Sequence, residues 1–195
     1  MTRWEPDAKG RLQIAAIELF MQHGYDAVTV DDIAKRAGLT RRSFFNHFAD
    51  KREVLFAGSE ELERTVIDEL NRLTAEMPPL DAALRALTTA GLTLARYREG
   101  AGIRRDIIAS SSDLQERELI KLASLSRAIA ANLAPDGVPN QASRLTAELA
   151  ITTFTNAYDA WMDQPDGDFE HLMAVAFNEL RGIVDTAQPA IRTAH

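Results

Sequence analysis

Residues 29–51 read TVDDIAKRAGLTRRSFFNHFADK. Val30, Ile33, Ala34 and Ala37 recur at helical spacing and give one apolar face, which predicts a short helix from Val30 to Arg36. Thr29 stands at the N-cap, and Asp32, three residues on, makes a capping-box spacing with Asp in place of Glu. Ala37-Gly38-Leu39 is the turn, with Gly38 free to take a positive φ. Thr40 caps a second helix, Arg41 to about Phe48. Phe44 and Phe48 are four apart and face inward, leaving Arg41, Arg42, Ser43, Phe45, Asn46 and His47 on other faces. Asp50 caps a following helix, with Lys51 in its first turn.

Two helices meeting across a glycine-containing turn make a helix-turn-helix, whose second helix enters the major groove of DNA. The residues that open that helix meet base edges, and here they are Arg41 and Arg42, with Ser43 beside them. Arginine is the side chain best shaped to grip guanine or phosphate with two hydrogen bonds. Thr29, Thr40, Asn46, His47 and Lys51 fall where hydroxyl, amide, imidazole and ammonium groups position phosphates. From Lys35 to Arg52 there are six Lys and Arg against one acid, Asp50. A solvated basic face on an ordinary helical domain is the plainer alternative. It does not explain why turn, caps and charge all fall where DNA docking needs them.

The stretch resembles the DNA-binding domain of the TetR family of bacterial transcriptional regulators. Leu12, Ala15-Ala16, Leu19-Phe20, Gly24-Tyr25, Val28-Thr29-Val30, Ile33-Ala34, Ala37-Gly38-Leu39, Phe44-Phe45-Asn46-His47-Phe48 and Lys51 fall at the family's positions, so the likeness covers about residues 8 to 56. The family often carries Tyr at the position of Phe45, and that hydroxyl commonly touches a phosphate. Phe45 offers only apolar or stacking contact.

Around this stretch, the 195-residue length suits one DNA-binding module, residues 1–52, and one larger domain, residues 53–195. A hydrophobic content of 46% is enough for a real core and too high for disorder. With no Cys, a disulfide framework or thiolate metal site is excluded. MTRWEPDAKG lacks an apolar signal core, and no run approaches ~18 apolar residues. A soluble, cytoplasmic, nucleoid-associated protein is expected. The net charge of −7 is unevenly placed: residues 1–52 carry nine Lys and Arg against seven Asp and Glu, and the remainder 13 against 22. The +2 half and the −9 half should orient the protein on DNA as well as attract it.

Taken in order, residues 1–6 read as frayed and a first helix runs from about Asp7 to His23, with Leu12, Ala16, Leu19 and Phe20 as its core stripe. The helix after Asp50 is expected to run unbroken from about Lys51 to Glu76, stop at Pro78-Pro79, and be the only continuous link between the domains. Further helices are expected at Asp81–Glu99, Ile103–Ser110, Ser112–Ala134, Asn140–Gln164 and Asp168–Ala187, with a disordered tail after Pro189. Gly100-Ala101-Gly102 is read as a break, and Ser112 with Gln115 as a capping box. Strand signals are absent, so the fold class is all-α: an N-terminal three-helix helix-turn-helix domain and a C-terminal helical effector-binding and dimerisation domain.

An all-helical body invites a di-iron reading, which needs Glu-x-x-His motifs on two helices. Only Asp168 with His171 approaches that pattern, and one such pair more often marks a helix start. No HExxH, phosphate-binding glycine loop or G-x-S-x-G motif is present. No enzyme activity, metal or cofactor is expected. The resemblance implies a ligand-responsive regulator, a repressor, forming a homodimer through residues 140–164 and 168–187 and binding a palindromic operator. An architectural DNA binder without an effector, and an adaptor that does not bind DNA, are the alternatives.

For the effector, Leu62, Val66, Tyr97, Ile107, Ile108, Phe154, Tyr158 and Trp161 are the lining residues expected, and plain core is the competing reading of each. Arg96, Arg98, Arg104 and Arg105 form a basic group in an acidic domain, and the break at Gly100-Ala101-Gly102 is expected to bring both pairs, Arg104 and Arg105 among them, to one rim of the pocket. Surface pairing with Glu99 and Asp106 would equally account for them. The stretch RRDIIASSSDLQERELIKL resembles effector domains of TetR-type regulators that take acyl-CoA-like ligands. An apolar pocket with arginines at its mouth suits a small hydrophobic or acyl-type ligand with an anionic head, against a neutral or cationic hydrophobic compound.

Overall fold

The computed structural model describes residues 8–95, 98–164 and 166–186. The expectations for residues 1–6, Arg96, Tyr97 and the tail after Pro189 lie outside the described residues. Among those described, every regular element is helical. In order they are α1 (Ala8–His23), α2 (Val30–Arg36), α3 (Arg41–Phe45), a 3-10 turn (Arg52–Phe56), α4 (Ser59–Leu73), α5 (Pro79–Ala95), α6 (Arg98–Ala109), α7 (Ser112–Leu133), α8 (Gln141–Asp163) and α9 (Phe169–Thr186).

The chain falls into two compact units that do not part at residue 52. The first takes Met1–Arg64 and Tyr97–Leu125, the second Thr65–Arg96 and Ser126–His195. Burial explains the return of the later segment. Ile107, Ile108 and Leu114 close one apolar cluster with Leu12, Leu19, Phe20, Ile33, Phe44, Phe48 and Val54. Polar contacts fix the same segment. Arg104 donates to the Leu55 carbonyl at 2.8 Å, and Glu53 accepts from Arg117 and Lys121. Both α4 and α7 contribute residues to both units, so the helix after Asp50 is not the sole one shared.

That helix is also not continuous. Asp50 Oδ1 accepts from the N–H of Arg52 and of Glu53, as a cap should. What it opens is the 3-10 turn, whose Val54, Leu55 and Phe56 are all buried, and α4 starts afresh at Ser59. Successive residues of a 3-10 turn point about 120° apart, so burial of all three means the turn is enclosed on every side by the apolar cluster of the first unit. The expected break at Gly100–Gly102 instead lies inside α6. Glycine weakens a helix by ~1 kcal/mol per residue, and the burial of Ile107 and Ile108 outweighs that here. Gln115 does not close a capping box with Ser112; its amide donates to the Ala109 carbonyl at 2.8 Å.

In the second unit α5, α8 and α9 pack together. Ala82, Ala83, Ala86 and Ala90 on α5 and Ala147, Ala150 and Ala157 on α8 are fully buried, small side chains that let helix axes approach. Gly91 faces the Phe169 ring of α9, and a Cβ there would collide with it. Asn140 caps α8, its side chain accepting from the Ser143 N–H at 2.9 Å while Ser143 Oγ accepts from the Asn140 N–H. Asp168 likewise starts α9, accepting from the Glu170 N–H at 3.0 Å. No helix among the described residues is long and apolar enough to cross a membrane.

Candidate nucleic-acid interface

The site is built by α2, its turn and α3, and each is fixed locally. At the start of α2 the Thr29 N–H donates to Asp32 Oδ2 at 2.9 Å and the Asp32 N–H donates to Thr29 Oγ1 at 3.2 Å. Hydrogen bonds from the Thr29 side chain and then its backbone hold the Asp32 carboxyl below the usual carboxylate range. Gly38 takes φ +67°, a conformation that opens the corner without a Cβ penalty, and the Leu39 N–H reaches back to the Ala34 carbonyl at 2.8 Å. Thr40 Oγ1 then accepts from the Ser43 N–H at 3.1 Å. Phe44 and Phe48 are buried, their rings 5.4 Å apart. The seating of those rings turns Arg41, Arg42, Phe45, Asn46 and His47 outward, all exposed.

Charge on this face is less free than a count of cations suggests. Arg36 is paired with Glu18 at 2.7 Å, Arg41 with Asp31 at 2.8 Å, and Arg52 with both Asp50 and Asp113. Lys51 donates to the Tyr25 carbonyl at 2.7 Å and the Val28 carbonyl at 2.9 Å, and lies 4.0 Å from the centroid of the Tyr25 ring. Its ammonium therefore ties down the α1–α2 connection, a task its sequence position does not reveal. Lys35 and Arg42 have no such partner among the described residues. Burial lowers the Lys51 pKa, and burial raises that of Tyr25 to about 12, with the Asp113 charge adding to it. At Asp50 burial acts upward, but hydrogen bonds from Arg52 and the Glu53 backbone win and hold the carboxyl low. Glu53 behaves alike, with Arg117 and Lys121 overcoming burial.

Sequence reasoning passed over Asp31. Its ten-residue separation from Arg41 carries no helical meaning until the turn at Gly38 folds α3 back beside α2. Phe45, 46% exposed, lies beneath the same arginine, whose guanidinium carbon is 5.3 Å from the ring centroid.

The expected effector residues divide between the units. Leu62, Arg104, Arg105, Ile107 and Ile108 belong to the first, and Val66, Phe154, Tyr158 and Trp161 to the second. Ile107 and Ile108 are core. Arg104 is held by the Leu55 carbonyl, by Glu118 at 3.0 Å, and over the Phe56 ring at 4.9 Å. Phe154, Tyr158 and Trp161 come together with Phe169, neighbouring rings lying 5.9 to 6.3 Å apart. A separate cavity of about 230 Å³ in the second unit is lined by Asp81, Leu84, Arg85, Thr88, Glu170, Met173, Ala174 and Phe177.

Residues 14–57 match the family model described as bacterial regulatory proteins, tetR family. That segment is of the TetR DNA-binding type. MftR of Mycobacterium tuberculosis, provisionally described as a mycofactocin biosynthesis transcriptional regulator, is 27% identical over 170 residues, 84% of each chain. Two further regulators, 35% and 34% identical, match over 80 and 85 residues, so the chain spans only 36% of the length of each. The SmeT–triclosan complex shares the fold at a TM-score of 0.59 and 19% identity, covering 96% of this chain and 95% of that one. FadR of Thermus thermophilus, a TetR-family repressor solved with lauroyl-CoA, does so at 0.56 and 23%, covering 95% and 100%. The fold, an N-terminal helix-turn-helix followed by a helical C-terminal body, is therefore shared with these structures.

Proposed function

We propose that the protein is a homodimeric, ligand-responsive transcriptional repressor that binds a palindromic operator. The observation that carries the reading is α3 itself, capped by Thr40, seated by Phe44 and Phe48, and presenting Arg41 and Arg42 to solvent. Ser43 lies beside the arginines, and Thr29, Asn46 and His47 stand at the edges where a duplex backbone would pass. A dimer is supported by apolar side chains left exposed on α8 and α9: Leu145, Val175, Ile183 and Val184. A two-fold dimer with one α3 per subunit requires an inverted repeat. Selection from a random DNA pool should return such a repeat, and footprinting should protect both halves. An asymmetric half-site, or a monomer at micromolar concentration, overturns the two-fold arrangement.

The effector is proposed to be hydrophobic or amphipathic, with its apolar part beside the aromatic group Phe154, Tyr158 and Trp161 in the second unit. The fold is shared with proteins whose solved ligands are lauroyl-CoA and triclosan, one anionic amphipath and one small aromatic compound. To repress and release, the ligand must bind the DNA-incompetent arrangement better than the competent one. Calorimetry with lauroyl-CoA, lauric acid, CoA and triclosan, each followed by operator release, tests the class. If no acyl compound binds, or if operator affinity is unmoved by binding, an acyl effector is excluded.

A further inference from the structure

We propose that Asp31 is a positioning residue for DNA readout: with Phe45 it presets Arg41 as the base-reading side chain of α3, leaving Arg42 to meet phosphate. This rests on the DNA-binding reading above and assigns the work within it. Arg41 Nη1 donates to Asp31 Oδ2 at 2.8 Å from one side, and the Phe45 ring supports the guanidinium at 5.3 Å from another. The guanidinium is planar with five N–H donors, so one hydrogen bond to Asp31 leaves a fork of donors for a guanine edge.

An ion pair this exposed holds an arginine only weakly in water. Docking changes the balance. DNA brings phosphates and excludes water, so a carboxylate beside the recognition helix must stay neutralised or face like charge in a lower dielectric. Arg41 is the cation that neutralises Asp31, and leaving it becomes costly once the duplex is in place. The same pairing cancels Arg41's charge, so the pair adds little to counterion release. Arg42 is one residue on, about 100° round the helix, and has no partner among the described residues. It keeps its full charge for the backbone. Phe45 completes the arrangement, since a ring beneath a guanidinium limits the planes it can adopt.

The test starts with the wild-type site selected from random DNA. It continues with Asp31→Asn, Arg41→Ala, Arg42→Ala and Asp31→Asn with Arg41→Ala, titrated on that site and on its single base-pair variants at several salt concentrations. Asp31→Asn should lower discrimination at one G·C position about fivefold or more, with affinity for unrelated DNA unchanged or raised. Arg41→Ala should lose discrimination at the same position, and Asp31→Asn should add nothing there in its presence. Arg42→Ala should reduce the salt slope by about one, and Arg41→Ala should leave it nearly unchanged. Phe45→Leu, which leaves the charges intact, should lower discrimination at the same position. If Asp31→Asn shifts all sequences alike, its role is charge alone. If it tightens the selected site, Asp31 holds Arg41 away from DNA. Either result overturns the proposal with DNA binding intact, whereas failure to enrich any motif overturns both.

Discussion

Lys51 shows how a residue's neighbours can give it a task that its sequence position does not suggest. Its position suggests a phosphate contact, but its ammonium bonds the carbonyls of Tyr25 and Val28. Lys51→Ala should therefore lower stability by about 1–3 kcal/mol, read by urea unfolding, because two half-buried carbonyls lose a charged donor. Its effect on the salt slope of DNA binding should be smaller than that of Arg42→Ala. Tyr25 provides a pH signature. Its pKa is raised to about 12, above the unfolded value near 10, so the folded state binds the proton more tightly. The associated stability is fully present below about pH 10 and is lost as pH rises through 12. An absorbance titration should show Tyr25 ionising after an ordinary tyrosine. Asp50 and Glu53 act at the other end, since both are held low. Their contribution is present above the normal carboxylate range near pH 4 and is lost as pH falls through their depressed values. The outward turn of Arg41, Arg42, Asn46 and His47 was legible because helical period and caps fix which way a side chain turns. Asp31 and the bonds of Lys51 were not, because they depend on where separate helices meet.

Caps and close approaches govern the elements. Thr40→Ala removes the acceptor for the Ser43 N–H and should cost about 1 kcal/mol in thermal or urea unfolding, with Thr40→Ser nearly neutral. Since α3 is only five residues long, loss of its first turn should also weaken operator binding. Gly91→Ala tests the packing of α5 on α9. The gain in helix propensity is outweighed by the collision with Phe169, for a net loss of about 1–3 kcal/mol. Gly91→Ala with Phe169→Leu should be less destabilised than the two single changes added together, because both act at one contact. The starts of α2, α8 and α9 could be read to within a residue from Thr29, Asn140 and Asp168. The course of α6 could not. Gly100 and Gly102 argue for a break by propensity, and only the distant cluster around Leu12 and Phe44 overrides it.

At the scale of the molecule, the proposed dimer predicts that Ile183→Glu, at a side chain 67% exposed on α9, converts dimer to monomer by light scattering without lowering helix content. Operator affinity should fall steeply, since each half-site would bind alone. The all-α class was plain from periodicity. The division into units was not, because the chain leaves the first unit in α4 and returns to it with α6. That return constrains how such proteins can be recombined. A hybrid that grafts only residues 1–52 onto a foreign sensor would leave Leu12, Phe44 and Phe48 facing a surface that never evolved against them. A viable exchange must carry Ile107, Ile108 and Leu114 along, with Arg104, Arg117 and Lys121 to match Leu55 and Glu53. Inheritance should respect the same seam: drift around Leu12 and Phe44 must be answered by drift around Ile107 and Leu114, and crossovers between the two should be purged.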